Sequence, residues 1–392
     1  IMLNYLDITS PEASVWDATV EAFNAKYPNI TLTIENSFGD AYHQKLAALA
    51  AAGDLPDVMF LWPGARNAEL YENELAEDLY PFLGDDIDMY ATAAVAPQWD
   101  GNLYELPITL TSSHMFYVNT KVLGDLGLSM PTTYDELVAM VPTISDAGLY
   151  PILMPNKATW VMQSCLFSAL VGRIAGQDWI GKVITGEAAF TDQEFIDSLA
   201  LVKDMYDTGL LPPQSIQLEY GDGPNLFATG RSPFMIDGDW RVGAIAPLLT
   251  NEEQLDYELA VFPDVPGNGI SGSTSGVAGT GFGMKAGLDA DKADAAWKWI
   301  SFFAGAVGSE LRFLEEGIIP AYNLDLTAYE DVQPLVEKRK DFYDGITAYT
   351  NILDAVISGD PITIINNGLQ ELALGNITPE KIAADAEAAM VR

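Results

Sequence analysis

A single cysteine, Cys165, stands among 392 residues, so no disulfide can form within the chain. Histidine is nearly as scarce. His43 and His114 are the whole complement, too few for a Cys/His zinc site or a legible Ser/His/Asp catalytic arrangement. Lys and Arg number 19 against 56 Asp and Glu, a formal charge of -37. A surface so acidic repels phosphate backbones and anionic lipid, which makes nucleic acid a poor partner. Its ordinary reading is a solvated coat that favours solubility, suited to a saline habitat. No run of about 20 apolar residues is present to span a bilayer, and no basic segment followed by an apolar one opens the chain as a secretory leader would. Because Ile1-Met-Leu-Asn-Tyr5 is already strand-like, a leader or lipid-attachment segment is expected upstream in the full-length protein. A Gly-Lys-Ser/Thr phosphate loop is missing, and Gly279-Thr-Gly281-Phe-Gly283 lacks the downstream glycine of a dinucleotide fingerprint. No cofactor is expected. Internal repeats are also missing, which argues against a purely structural surface or adhesion protein.

What is present suffices for two or three domains with full cores. The first sixty residues alternate between strand and helix. Met2 to Ile8 is apolar and β-prone, Ser10 and Pro11 supply an N-cap and a first helical position, and Trp16, Val20, Phe23 and Tyr27 recur at helical spacing until Pro28. Ile30, Leu32 and Ile34 alternate with threonines as a second strand. Asp40 is placed to cap a helix to Ala52, Gly53 to end it, and Asp57 to Trp62 is a third strand. Strands separated by helices predict a parallel sheet with right-handed crossovers, whose ligands gather at the carboxyl ends of the strands. Those ends are Thr9-Ser10-Pro11-Glu12, Ser37-Phe38-Gly39-Asp40 and Trp62-Pro63-Gly64-Ala65-Arg66, which offer rings, hydroxyls, carboxylates and one guanidinium. The cluster Asp85, Asp86 and Asp88 lacks the glycine and distal glutamate of an EF-hand loop and reads as a solvated turn, although calcium stays open.

Farther on, Asp100-Gly101-Asn102 is a turn and Leu103 to Leu110 a short strand broken by Pro107. The hydroxyl run Thr109 to Ser113, which includes Thr111, precedes His114 to Val118, a strand suited to cross between domains. Thr133-x-x-Glu136 matches a capping box. Trp160 to Leu170, Glu194 to Asp207 and Ala293 to Phe303 read as helices, and the glycine-rich stretch from Gly267 to Gly283 as loops flanking a second crossing strand, Gly281 to Lys285. Ile236-Asp237-Gly238-Asp239-Trp240 places a tryptophan and two carboxylates just after an apolar strand. A flat apolar ring beside strong acceptors suits a sugar, whose faces carry C–H groups and whose rim carries hydroxyls. A tryptophan packed at a strand end is the competing reading. Trp16, Trp297 and Trp299 lie on apolar helical faces and are assigned to core. Trp62, Trp160 and Trp240 follow turns or strand ends and are assigned to ligand, with Glu12, Asp40, Asp239 and Glu316 as charged acceptors for hydroxyls. Phe38, Arg66, Thr111, Arg241, Gly281 and Tyr322 complete the candidate site.

Several stretches, in order, carry a resemblance over essentially the whole chain. They are Phe23-Asn-Ala-Lys-Tyr-Pro28 with Ile30-Thr-Leu-Thr-Ile34, Ala51-Ala-Gly-Asp-Leu-Pro-Asp-Val58, and Asp100-Gly-Asn-Leu-Tyr-Glu-Leu-Pro107 followed by Tyr117-Val-Asn-Thr-Lys121. Next come Leu128-Ser-Met-Pro-Thr-Thr-Tyr-Asp-Glu-Leu137, Phe227-Ala-Thr-Gly-Arg231, Ala295-Ala-Trp-Lys-Trp-Ile-Ser-Phe-Phe303 and Glu316-Gly-Ile-Ile-Pro-Ala321. The chain resembles the extracellular solute-binding proteins of family 1, the carbohydrate-binding, maltose-binding-protein-like class. The resemblance implies an α/β, two-lobed periplasmic-binding-protein fold of type II, each lobe a mostly parallel sheet flanked by helices, joined by hinge crossovers. The lobes would comprise residues 1–112 with 278–320 and residues 113–277 with 321–392. It further implies a monomer without enzymatic activity that captures a sugar or oligosaccharide in the cleft between lobes. The cargo would go to the membrane permease of an ABC transporter, outside the cytoplasm or lipid-anchored at the cell surface. Trp62, Trp160 and Trp240 match the family's aromatic positions. The sequence departs from the pattern at Pro63-Gly64-Ala65, where the class's maltose binder has polar groups reaching sugar hydroxyls, while Arg66 remains available. The alternative is an extracellular glycoside hydrolase using paired carboxylates, with Asp237 and Asp239 two residues apart and Glu315 and Glu316 adjacent.

Overall fold

The computed structural model describes residues 1–8, 12–267, 271–330 and 332–390. The expected cap at Ser10-Pro11 lies outside these residues, as do the side chains of Glu12 and Asp40. Along the chain the strands are β1 (Met2–Tyr5), β2 (Ile34–Ser37), β3 (Val58–Leu61), β4 (Leu106–Pro107), β5 (Leu110–Ser112) and β6 (Met115–Asn119). They continue as β7 (Phe234–Asp237), β8 (Tyr257–Ala260), β9 (Thr274–Ala278), β10 (Gly281–Met284) and β11 (Tyr349–Thr350). The chain divides into two compact units, Ile1–Thr111 with Ala278–Asp331 and Ser112–Val277 with Val332–Arg392. The last passage falls at residue 331 rather than near 320 because Pro320 and Tyr322 bridge to Thr109 and Tyr90, and the Ala321 N–H bonds the Ile108 carbonyl at 3.3 Å.

In the first unit the strand order is β2-β1-β3-β10-β4. β2, β1 and β3 run parallel, with Met2 opposite both Ile34 and Val58. The strand expected from Ile30 is shorter than its alternation suggested and begins at Ile34. β10 is not a crossing segment. It lies antiparallel to β3 inside this sheet, with Gly281 opposite Leu61. Its alternating glycines explain the fit, since a Cβ at Gly281 would stand 1.9 Å from the Leu106 carbonyl oxygen and one at Gly283 2.3 Å from that of Tyr104. The helix Glu12–Lys26 stops just before Pro28. The helix Asp40–Ala52 is preceded by Gly39 at φ 63°, so Asp40 is its first residue and not its cap, and Gly53 at φ 70° ends it. Trp16 and Trp299 are core residues with ring centroids 5.5 Å apart, whereas Trp297 is half-buried against Phe82. Asp85, Asp86 and Asp88 sit exposed on the 3-10 turn Gly84–Met89.

In the second unit β6 lies between β7 and β8, antiparallel to both. A mostly parallel sheet was expected here, and among the described residues the parallel pairings are short: β11 with β9, and single bridges from Leu153 to Met235 and from Thr133 to Asp264. The reason is visible in β6, whose five residues are all buried, because a continuous apolar run marks a central strand without fixing the sense of its neighbours. Thr133 and Glu136 form the expected capping box. The helix from Trp160 is broken by a π turn at Gln163–Phe167 before it resumes at Ser168. Among the described residues no helix is long and apolar enough to cross a membrane.

His114, at the start of β6, is wholly buried. Its Nδ1 meets the Cys165 carbonyl at 2.7 Å and its Nε2 accepts the Phe262 N–H at 3.0 Å. That pairing defines a neutral ring protonated on Nδ1. Burial, reinforced by Arg173, pulls its pKa down to about 3 against the opposing Cys165 carbonyl. The folded value lies below the unfolded one, so the stabilisation is whole above pH about 6.5 and is lost as pH falls toward 3, at roughly 1.4 kcal/mol per unit. Urea unfolding of the wild type is expected to weaken more steeply between pH 6.5 and 4 than that of His114→Gln. Parallel curves for the two proteins would exclude His114 as a source of the acid sensitivity.

Candidate functional site

At the carboxyl edge of the first unit's sheet, β1, β2 and β3 deliver Tyr5, Phe38 and Trp62 to one place, because Tyr5 is in register with Ser37 and Trp62 follows directly on β3. Tyr5 lies 4.7 Å from Phe38 and 4.9 Å from Trp62, edge-on to the latter. His43, from the helix Asp40–Ala52, comes 4.7 Å from Trp62, and the exposed Arg66 holds its guanidinium 5.3 Å from the same ring. Asn67 and Tyr71 both donate to the Trp62 carbonyl, which anchors the residue from behind. Phe38 keeps 46% of its surface exposed. The product is a ledge of aromatic carbon with a cation at its rim. Gly281 belongs beside Trp62 through its pairing with Leu61, but as packed backbone.

In the second unit Trp240 follows β7 and leans back over Gly238, where a Cβ would stand 2.2 Å from two carbons of its six-membered ring. Trp160 lies 6.2 Å away, with its plane tilted by 45°. Both indoles are half-buried. Behind them the Trp240 N–H donates to the Tyr220 hydroxyl at 2.6 Å, and that hydroxyl donates to Asp237 at 3.0 Å. Asp237 also receives the Gly238 N–H at 2.8 Å and the Arg241 Nε at 2.9 Å. Arg241 lies 3.5 Å from the centroid of the Tyr220 ring. Burial alone would lower the Arg241 pKa, but Tyr220 and Asp237 hold it above its ordinary value.

Asp239 and Arg241, expected to reach ligand, are instead engaged with the protein. Asp239 is 0% exposed, paired with Arg339 and hydrogen-bonded by Tyr343, and Arg241 is tied to Asp237. Asp237 and Asp239, the first carboxylate pair of the hydrolase alternative, are therefore each paired with an arginine, a poor arrangement for acid and base catalysis. Thr111 is half-buried on β5. Glu316 ends the helix Ala306–Glu316, near the buried Arg312, and Tyr322 packs edge-on against Tyr90. Tyr5, His43 and Tyr220 were not foreseen. Tyr5 and His43 had a usable signal, since each sits within a few positions of a strand end already marked, whereas Tyr220 had none.

A family model for bacterial extracellular solute-binding proteins matches residues 18–332. The chain belongs to that family. As a solute-binding protein it is not an enzyme. It is similar to a maltotriose-binding protein of Pyrococcus abyssi, 22% identical over 300 residues, which are 74% of this chain and 60% of that protein. It is also similar to a multiple sugar-binding protein of Streptococcus mutans, 23% identical over 229 residues, 56% of this chain and 53% of that protein. The chain thus matches little more than half the length of these curated relatives. In structure it is similar to a chitin oligosaccharide binding protein, with a TM-score of 0.88 at 22% identity over 99% of this chain and 97% of the other. The shared fold of this solute-binding protein is thereby shown, with a mixed α/β build in both units.

Proposed function

We propose that this solute-binding protein captures a neutral sugar or oligosaccharide, unchanged, and delivers it to the membrane permease of an ABC transporter from outside the cytoplasmic membrane. The observation that carries the reading is the presentation of half-buried indoles, Trp62 after a strand in one unit and Trp240 after a strand in the other with Trp160 beside it. Trp62 is held through its carbonyl by Asn67 and Tyr71, and Trp240 through its N–H by Tyr220. Plates of this kind stack on the C–H faces of pyranoses, and burying about 100 Å² of apolar surface contributes a few kcal/mol. Arg66 at the first ledge supplies a donor for hydroxyls. Relatives that bind maltotriose, multiple sugars and chitin oligosaccharides support the same class of ligand.

The test is a thermal-shift screen of mono- and oligosaccharides, followed by chromatography of the best ligand after long incubation. A sugar at 100 times its dissociation constant is expected to stabilise the fold by about 2.7 kcal/mol and to be recovered intact. New products formed at a measurable rate would sink the proposal, as would the lack of any shift across the panel.

A further inference from the structure

We infer that Tyr220 is a positioning residue for sugar binding, acting through Trp240, and that it confines this plate to reading the carbon face of its ligand. The inference rests on the functional reading above. An indole has one polar atom. In Trp240 that atom points into the protein, where its N–H meets the Tyr220 hydroxyl at 2.6 Å. The hydroxyl accepts this bond and donates its own proton to Asp237 at 3.0 Å, so both partners of the phenol are fixed in direction. Asp237 cannot turn away, being held by the Gly238 N–H and the Arg241 Nε. Tyr220 is locked as well, since Arg241 lies 3.5 Å from its ring centroid and donates to its backbone carbonyl at 2.7 Å, while Trp160 packs edge-on at 4.9 Å. Burial pushes the phenol well above its usual range, which keeps it protonated and able to donate.

The other edge of the plate is set by a different device. Three carbons of the Trp240 six-membered ring lie 2.2 to 2.3 Å from where a Cβ on Gly238 would stand, so only glycine leaves room for the ring in this place. The indole is thus pinned by a hydrogen bond at its pyrrole edge and by a missing side chain beneath its benzene edge. What it shows outward is carbon alone. A plate of that kind discriminates by the shape of the stacked sugar face and not by a hydrogen bond of its own, which assigns hydroxyl recognition to other groups.

The experiment is a double-mutant cycle of Tyr220→Phe with Trp240→Phe, read by calorimetric titration with maltotriose and with N,N′,N″-triacetylchitotriose. Tyr220→Phe in the wild-type background is expected to weaken binding about threefold to tenfold, the range of one lost hydrogen bond. In the Trp240→Phe background it should add nothing. Trp240 emission, isolated as the difference between each protein and its Trp240→Phe counterpart, should shift to the red in Tyr220→Phe as the half-buried indole exchanges its Tyr220 partner for water. Equal losses of affinity in both backgrounds, or an unshifted Trp240 emission, would overturn the inference. If neither trisaccharide binds the wild type, the best ligand of the sugar panel takes their place in the titration; if no sugar of the panel binds, the functional reading fails and the emission measurement alone decides the positioning role. Gly238→Ala approaches the same ring from the other edge. It is expected to displace the indole even where Tyr220→Phe folds poorly, and an unchanged Trp240 emission in Gly238→Ala would count against the pinned plate.

Discussion

Arg339→Ala is expected to destabilise the second unit by about 3–5 kcal/mol, the cost of leaving a buried carboxylate unpaired. Asp239 is 0% exposed and Arg339 is 1% exposed. The Arg339 Nε lies 3.0 Å from the Asp239 Oδ2, and the Tyr343 hydroxyl donates to the same oxygen at 2.5 Å. Burial opposes ionisation of both partners: it pushes the Asp239 carboxyl above its usual range, whereas for Arg339 the charge of Asp239 outweighs burial and holds the guanidinium above its ordinary value. The other oxygen, Oδ1, has no hydrogen-bond partner among the described residues, so Arg339 and Tyr343 carry the compensation between them. The pair also secures the chain where it enters this unit. The Ser112 N–H bonds the Tyr343 hydroxyl at 2.8 Å, and the Asp239 N–H bonds the Ser112 carbonyl at 2.9 Å. Urea unfolding followed by far-UV circular dichroism measures the loss. In Arg339→Ala the orphaned Asp239 has its folded pKa raised further above the unfolded value, so the penalty should shrink as pH falls toward the ordinary carboxylate range. The double variant Asp239→Leu/Arg339→Met removes both charges and should be much less destabilised than the single one. A single variant that loses less than about 1 kcal/mol would show that the pair is not what holds this corner together.

The same corner shows where sequence reading stops. Asp239 lies in a legible turn after an apolar strand, but its partner is 100 residues away in the helix Pro334–Gly345. Nothing local marks Arg339 as anything but a surface cation on a charged helix. Features with a local cause were readable: the left-handed Gly53 that ends a helix, the Thr133 and Glu136 capping box, and the two-residue turn at Asp100 and Gly101, with φ of 47° and 85°. The aromatic ledge of the first unit was half readable, because alternating strands and helices fix where strand ends gather and Phe38 and Trp62 stand there. Tyr5 stands there too, as the last residue of β1, within reach of the same signal. β10 is legible as a strand but not as a member of the first unit's sheet, because its sequence does not show that its glycines make room for the neighbouring backbone at Tyr104 and Leu106. Asp239 and Arg241 were read as ligand groups because sequence order shows that a charge sits beside a tryptophan without showing which way it faces.

Trp240→Ala separates the ligand and core readings of that tryptophan most cleanly. If the ring is one wall of the sugar site, its removal should cost about 2 to 4 kcal/mol of binding, a loss of about thirtyfold to a thousandfold in affinity. Its fold should largely survive, because the ring is half-buried and the Tyr220 hydroxyl it leaves behind still donates to Asp237. A core tryptophan behaves in the opposite way. Trp299, 0% exposed among Trp16, Phe23 and Phe303, is the internal contrast, and Trp299→Ala should cost about 3 to 5 kcal/mol of stability while leaving affinity per folded molecule intact. Calorimetric titration with maltotriose and N,N′,N″-triacetylchitotriose, alongside ligand-free melting curves of both variants, reads the two effects separately. A large fall in melting temperature for Trp240→Ala with unchanged affinity would place Trp240 with Trp299 in the core. The sugar site would then have to be sought at the Trp62 ledge, where the exposed Phe38 and the Arg66 guanidinium offer the next stacking surface.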